Sequence, residues 1–210
     1  MRIMMAVLAM AIAGPAMAQD QAALVGQYDG HQMEMGAQLS LTADGRFEYG
    51  LVYGALDESG RGTWTAKNHQ VLLTSDPVKP PRFVVTGQKP AARAMVTVTL
   101  ETPKGLSAQY FDVVLVSTKG QVNNQQLSDE GLSLPLDPAD PPASVQLLLP
   151  IFELASDPIR IDPAKGYALS LRFEPNDIGK ADFRETALTI DKGDLVLERF
   201  GRTIRFNKVE

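Results

Sequence analysis

Polar and apolar residues alternate through most of this chain, and that alternation constrains its fold more than any other feature. Leu39 and Leu41 alternate with Gln38 and Ser40. Phe47, Tyr49, Leu51 and Tyr53 alternate with Arg46, Glu48, Gly50 and Val52, and Tyr167, Leu169, Leu171 and Phe173 with Ala168, Ser170 and Arg172. Successive side chains of a strand point to opposite faces, so a period of two marks a half-buried strand. Long helical periodicity is absent. Asp44-Gly45, Ser59-Gly60, Lys119-Gly120, Glu130-Gly131 and Lys192-Gly193 punctuate the pattern as turn signals. Asp44-Gly45 suits a two-residue primed turn, which needs positive φ at both central positions. The chain is expected to be all-β, with roughly a dozen or more short strands.

The first block supplies LVGQY, the stretch from HQMEM to LSLT, RFEYGLVY, RGTWTA and QVLLT as consecutive strands. Gly45, Gly50 and Gly54 recur along one hairpin arm, which suits a sheet that curls sharply. Such a half-barrel buries little apolar area and leaves two raw edges. The last block, GYALSLRF, ETALTI, GDLVLERF and RTIRFNK, can close it. The middle block differs: MVTVTLE, QYFDVVLVS, ASVQLLLP and PIRI surround the acidic, proline-rich loop from Asp137 to Pro142. The expected architecture is a small curled β-barrel built from residues 22–88 and 164–210, with a β-sandwich inserted at 89–163. Two sequential domains split near residue 80 are the alternative.

Two resemblances bear on this architecture. The run GQYDG…LSLTADGRFEYGLVYGALDESGRGTWTAKNHQVLLTS resembles a lipocalin-like small β-barrel unit of uncharacterised exported bacterial proteins, with G-x-Y, then DGRF, then G-x-W. The tail, EPNDIGKADF followed by GDLVLERFGRTIRF, is similar to the end of such proteins. The middle block looks like an immunoglobulin- or transthyretin-like sandwich. These likenesses imply a fold; they carry no activity across.

The chain opens MRIMMAVLAMAIAGPAMAQD. One positive residue, Arg2, precedes an apolar run from Ile3 to Ala13, and Ala16-Met17-Ala18 offers small residues at a cleavage site. This reads as a signal peptide over residues 1–18, cleaved after Ala18 by Sec-type export to the periplasm or the exterior. The apolar run is about half the ~20 residues that a spanning helix requires, so no membrane span is expected. The chain has no cysteine. Disulfides, thiol catalysis, cysteine-bound zinc and iron–sulfur clusters are therefore excluded. Without the leader the formal charge is −6, from 19 basic and 25 acidic residues, and no basic run exists to attract nucleic acid.

Several constellations could carry chemistry. Residues 30–36 read GHQMEMG. Imidazole and thioether suit Cu(I), which makes His31, Met33 and Met35 candidate metal ligands. With Trp64 they resemble the Met-x-Met, His and Trp site of periplasmic copper- and silver-carrying β-barrels. In that family, however, the tryptophan is near the methionine pair and the histidine is distant, the reverse of the order here. On a straight strand His31 and Met35 would stand about 13 Å apart, too far for one ion. Alternation instead puts His31, Met33, Met35, Ala37, Leu39 and Leu41 on one apolar face, as barrel packing. Tyr49, Tyr53 and Trp64 could line a cup for a small apolar ligand, or simply fill the barrel.

Glu34 and Glu48 could meet across neighbouring strands as a glycosidase-type carboxylate pair. Glu174 and residues 175–182 gather oxygen donors that suit either calcium or an Asx turn. No hydrolase elbow, phosphate loop or dinucleotide fingerprint occurs. The expected function is that of an exported, non-enzymatic binding or interaction module with no cofactor and an unknown partner, protein or small apolar ligand. A carrier of a small apolar ligand or of Cu(I) is the first alternative, and a carbohydrate-active enzyme the second.

Overall fold

Alternation becomes structure strand by strand in a computed structural model, which describes residues 21–91 and 94–209. The leader at residues 1–18 lies outside the described residues. The fold is all-β: a closed barrel and further sheets that form a sandwich. The chain divides into two compact units. The first comprises the described residues up to Leu51, Ser59–Asp76 and the chain from Ala181 onward; the second comprises Val52–Glu58 and Pro77–Lys180.

The barrel strands are β1 (Gly26–Asp29), β2 (Met35–Leu41), β3 (Arg46–Tyr53), β4 (Leu56–Lys67), β5 (Gln70–Ser75), β15 (Thr186–Asp191), β16 (Asp194–Arg199) and β17 (Arg202–Lys208). They close in the order β1-β17-β16-β15-β5-β4-β3-β2. Both chain ends therefore meet in one ladder, where Tyr28 pairs with Lys208 and Asp29 with Asn207. Closure removes the raw edges that either block alone would expose. The apolar phase of each strand points inward. Leu39, Phe47, Trp64, Leu73, Leu197 and Phe206 are all buried, while Gln38, Glu48 and Thr63 stay exposed.

The second unit holds β6 (Arg82–Lys89), β7 (Met95–Glu101), β8 (Asp112–Ser117), β9 (Val122–Gln126), β10 (Leu132–Pro135), β11 (Pro142–Leu149), β12 (Leu154–Ala155), β13 (Ile159–Arg160) and β14 (Ala168–Glu174). One sheet runs β10-β7-β14-β6, the other β12-β11-β8-β9, with β13 also beside β11. β14 is parallel to β7; every other pairing in these sheets is antiparallel. Val98 and Leu171 from one sheet share a core with Val113 and Leu147 from the other. Phe83, Phe111 and Phe173 pack as a trio with ring centroids 5.0–6.0 Å apart.

Four sequence expectations are corrected here. Residues 82–88 and 164–180 belong to the sandwich unit, not the barrel, because β6 and β14 pair with each other, Arg82 opposite Glu174. Alternation reports that one face is buried but not against what. A split near residue 80 does not describe the chain either, since β15–β17 return to the first strands. Ser59-Gly60 is no turn: β4 runs through it, and Gly60 and Gly62 serve close packing, a Cβ at Gly60 lying 3.2 Å from that of Ala181. Finally, Asp44-Gly45 is not a two-residue primed turn. Gly45 N–H bonds Thr42 C=O and Thr42 N–H bonds Arg46 C=O, with positive φ at Gly45 but not at Asp44. That is a three-residue loop ending in a glycine bulge.

Candidate functional site

The stretch GHQMEMG leaves the barrel wall as a tight turn between β1 and β2. Gln32 and Met35 exchange backbone hydrogen bonds of 2.9 and 3.2 Å around Met33 and Glu34, and Glu34 takes a left-handed φ of 63°. That conformation is uncommon for a residue with a Cβ. The turn is tied down on several sides. Gly30 N–H donates to Ala37 C=O at 2.9 Å, His31 N–H to Asp29 Oδ1 at 3.0 Å, and Gln32 Nε2 to Thr203 C=O on β17 at 3.0 Å. Gly30 is required by close approach: a Cβ there would lie 2.9 Å from the Phe206 ring.

This geometry separates the candidate metal ligands. Met33 is 91% exposed at the tip, whereas Met35 is 5% exposed inside the barrel. His31 is exposed beside Met33, its Nδ1 3.2 Å from Asp29 Oδ1 and its ring against Gly36. The expected common face therefore begins only at Met35. The left-handed turn at Glu34 breaks the phase, and His31 and Met33 do not pack in the core.

The aromatic candidates are committed to packing. Trp64 is buried and its Nε1 donates to Thr42 C=O at 3.0 Å. Tyr49 is buried with its ring edge-on to Phe183 at 5.1 Å and to Phe206 at 6.4 Å. Tyr53 is half-buried at the end of β3. Tyr28 closes the interior near the chain start; its hydroxyl donates to Leu24 C=O at 2.6 Å, and burial raises its pKa, with Asp194 adding to the effect. Trp64, Tyr49 and Tyr28 are thus buried side chains of the barrel, and Tyr53 is not.

The carboxylate pair is not assembled. The Thr42–Arg46 turn bond sets Glu48 across from Ser40, six residues from Glu34 and so about 20 Å away along the strand. Two carboxyls serving one glycosidic bond stand about 5–10 Å apart. The oxygen-rich loop after β14 is a turn: Asp177 Oδ2 accepts from Lys79 N–H at 2.8 Å, and Asn176 Nδ2 donates to Pro80 C=O at 2.8 Å. Glu174 is held by Arg82 at 2.6 Å, which lowers its pKa. Among the described residues no group of three or more His, Asp or Glu could hold a metal ion.

Surface hollows lie in the barrel unit among the described residues. One, of about 340 Å³, is lined by Leu24, Ala66, Lys67, Asn68, His69 and Ile190 beside the β4–β5 turn. Asn68 and His69 make that turn with positive φ at both positions and no glycine. Another, of about 690 Å³, lies over Ser40, Asp44, Arg46, Glu48 and Arg61. Two of its charged groups are engaged internally, since Arg46 grips Asp76 and Asp44 accepts from Thr42.

Sequence reasoning missed two features. Glu58, next to the Ser59-Gly60 turn signal, is buried on β4. The whole of β9, VNNQQ, lacks the apolar alternation on which the sequence reading of strands rests; its only sequence signal is the uncharged run from Gln121 to Ser128. No helix among the described residues is long and apolar enough to cross a membrane. No protein-family model matches the chain, and neither a curated protein nor a solved structure matches it, so the site is defined by its own geometry alone.

Proposed function

We propose that the protein is exported and acts without catalysis, as a binding module that presents the β1–β2 turn to a protein partner in the periplasm or outside the cell. The observation that carries this reading is Met33, 91% exposed at the tip of a turn tied to β17 by the Gln32 side chain and to β2 by backbone hydrogen bonds. A rigid scaffold that displays a loop is a common way to build a recognition site. An exposed, unbranched, polarizable side chain adapts to an apolar pocket on a partner. The leader read at residues 1–18 supports export.

A photo-crosslinking residue placed at Met33, with Tyr110 as an exposed control on the sandwich, tests the reading in the exported fraction of the producing cell. One discrete adduct formed from position 33 and not from position 110 is the expected result. Equal labelling from both, or none from position 33, would reject it. N-terminal sequencing of the same material is expected to begin at Gln19.

A second reading, a Cu(I) carrier, is supported by His31 and Met33 standing exposed on one turn. Met35 does not join them unless the start of β2 unwinds. Native mass spectrometry after Cu(I) loading decides it, through a copper mass that Met33→Leu abolishes.

A further inference from the structure

The sandwich presents four sheet edges, and three are blunted by familiar devices. β6 carries Arg82, Gly87 and Lys89 and a register irregularity between Ser170 and Leu171. β10 is four residues long and ends in Pro135, and β12 has two residues. Charges, proline, bulges and shortness all discourage further strand pairing. β9 has none of them. Its five residues are uncharged, free of glycine and proline, all exposed, and paired among the described residues with β8 alone.

The hydrogen-bond phase shows which backbone groups of β9 point outward. Leu127 N–H bonds Phe111 C=O and Ser117 N–H bonds Gln121 C=O, so the odd-numbered residues of β9 face β8. In an antiparallel ladder alternate residues turn their N–H and C=O to the other side. Val122, Asn124 and Gln126 therefore direct theirs away from the sheet.

We propose that this edge is a self-association site, where β9 of a second copy adds antiparallel about a two-fold axis at Asn124 and joins two sandwich sheets into one. In that register Val122 of one copy faces Gln126 of the other, and Asn124 faces itself. A two-fold interface must be self-complementary. A carboxamide both donates and accepts, so Asn124 satisfies its own symmetry mate, where a charged residue would repel it. The flanks agree. Exposed Lys119 precedes the strand, and exposed Asp129 and Glu130 follow it. Antiparallel addition brings the basic end of one copy to the acidic end of the other, whereas parallel addition sets like against like. Because the other edges are blunted, assembly stops at two copies. The contact is one strand pair, well below the roughly 1,200 Å² of a stable interface, so the dimer is weak and concentration-dependent.

Sedimentation equilibrium on the purified full chain, from about 10 µM to about 1 mM, tests the proposal. The expected result is a reversible monomer–dimer equilibrium with no larger species. Over the same range, hydrogen exchange is expected to slow at the amides of Val122, Asn124 and Gln126 and to stay unchanged at Asn123 and Gln125. Asn124→Lys and Asn124→Glu are each expected to remain monomeric, and their equimolar mixture to dimerise at least about tenfold more tightly than either alone. Neither change touches the β8–β9 ladder, and equal melting temperatures would confirm that the fold survives. A wild-type chain that stays monomeric, an exchange pattern without the alternation, or a mixture that fails to associate would each overturn the proposal. The wild-type monomer would leave the edge to a peptide of another protein.

Discussion

Lys208 lies across Gly26. A Cβ at position 26 would stand 2.8 Å from Lys208 Cε, and the lysine Nζ continues to Ala23 C=O at 2.5 Å while passing 5.9 Å above the Tyr28 ring. The last barrel strand thus clamps the chain just ahead of the first. Gly26→Ala is expected to displace the lysine and strain a backbone whose φ is +156°, at a cost of about 1–2 kcal/mol. Lys208→Ala should then cost less in the Gly26→Ala background than in the wild type, because the clamp is already gone. Additive losses in a thermal or urea double-mutant cycle would mean that the two residues act separately.

Closure by the chain end makes a stronger prediction. A chain ending at Lys180 keeps every strand of the sandwich but loses β15, β16 and β17, leaving β1 and β5 as raw edges. Trp64 is the single tryptophan and is 2% exposed. Its emission in the truncated chain is expected to shift to that of a solvated indole. A buried-type emission spectrum would show that the first five strands hold together alone.

How much of this was legible in sequence depends on what each residue reports. Phe47, Tyr49 and Leu51 alternate cleanly, and their strand and its buried face were readable. Glycine was ambiguous: Gly45 makes a turn, while Gly60 and Gly62 lie within β4 and permit close packing. Composition alone cannot separate positive φ from close approach. His31 and Met33 continue the odd-numbered pattern of β2, yet one left-handed residue, Glu34, takes them out of the wall. β14 was visible as a strand and β6 was not, and their mutual pairing is a long-range fact, Arg82 opposite Glu174, which local periodicity does not encode. β9 carries no apolar phase because both of its faces are exposed.

The two classes of glycine can be told apart by alanine. At Gly62 an added Cβ would run into the Thr74 carbonyl oxygen and lie 2.7 Å from Ser75 Cα, both backbone atoms of the paired strand. Neither can move without opening the β4–β5 ladder, so Gly62→Ala is expected to cost about 3 kcal/mol or more. At Gly50 nothing lies within 4 Å of the added atom, and its φ is not positive. Gly50→Ala should change stability by under about 1 kcal/mol, with a gain from the stiffer unfolded chain as the favoured direction. Melting temperatures of the two variants check the contrast, and equal losses would refute it.

Acid should destabilise the fold through a few identifiable carboxylates. The Arg46 guanidinium, bonded to both Asp76 oxygens at 2.9 and 2.6 Å, lowers the pKa of Asp76, and Arg205 lowers that of Asp191. Burial alone would raise Asp140, but hydrogen bonds from the Ser117 hydroxyl, the Lys119 amide and the Thr118 hydroxyl outweigh it and leave the pKa lowered. A carboxyl with a depressed folded-state pKa stabilises fully above its unfolded value and loses that contribution as pH falls through the folded value. The melting temperature is therefore expected to be flat from neutral pH down to about 4 and to fall below it. Asp76→Asn should lower the melting temperature at neutral pH and converge on the wild type in acid, because protonation has by then removed the same contact. A constant offset between the two curves across the whole range would show that the Arg46–Asp76 pair contributes nothing through its charge.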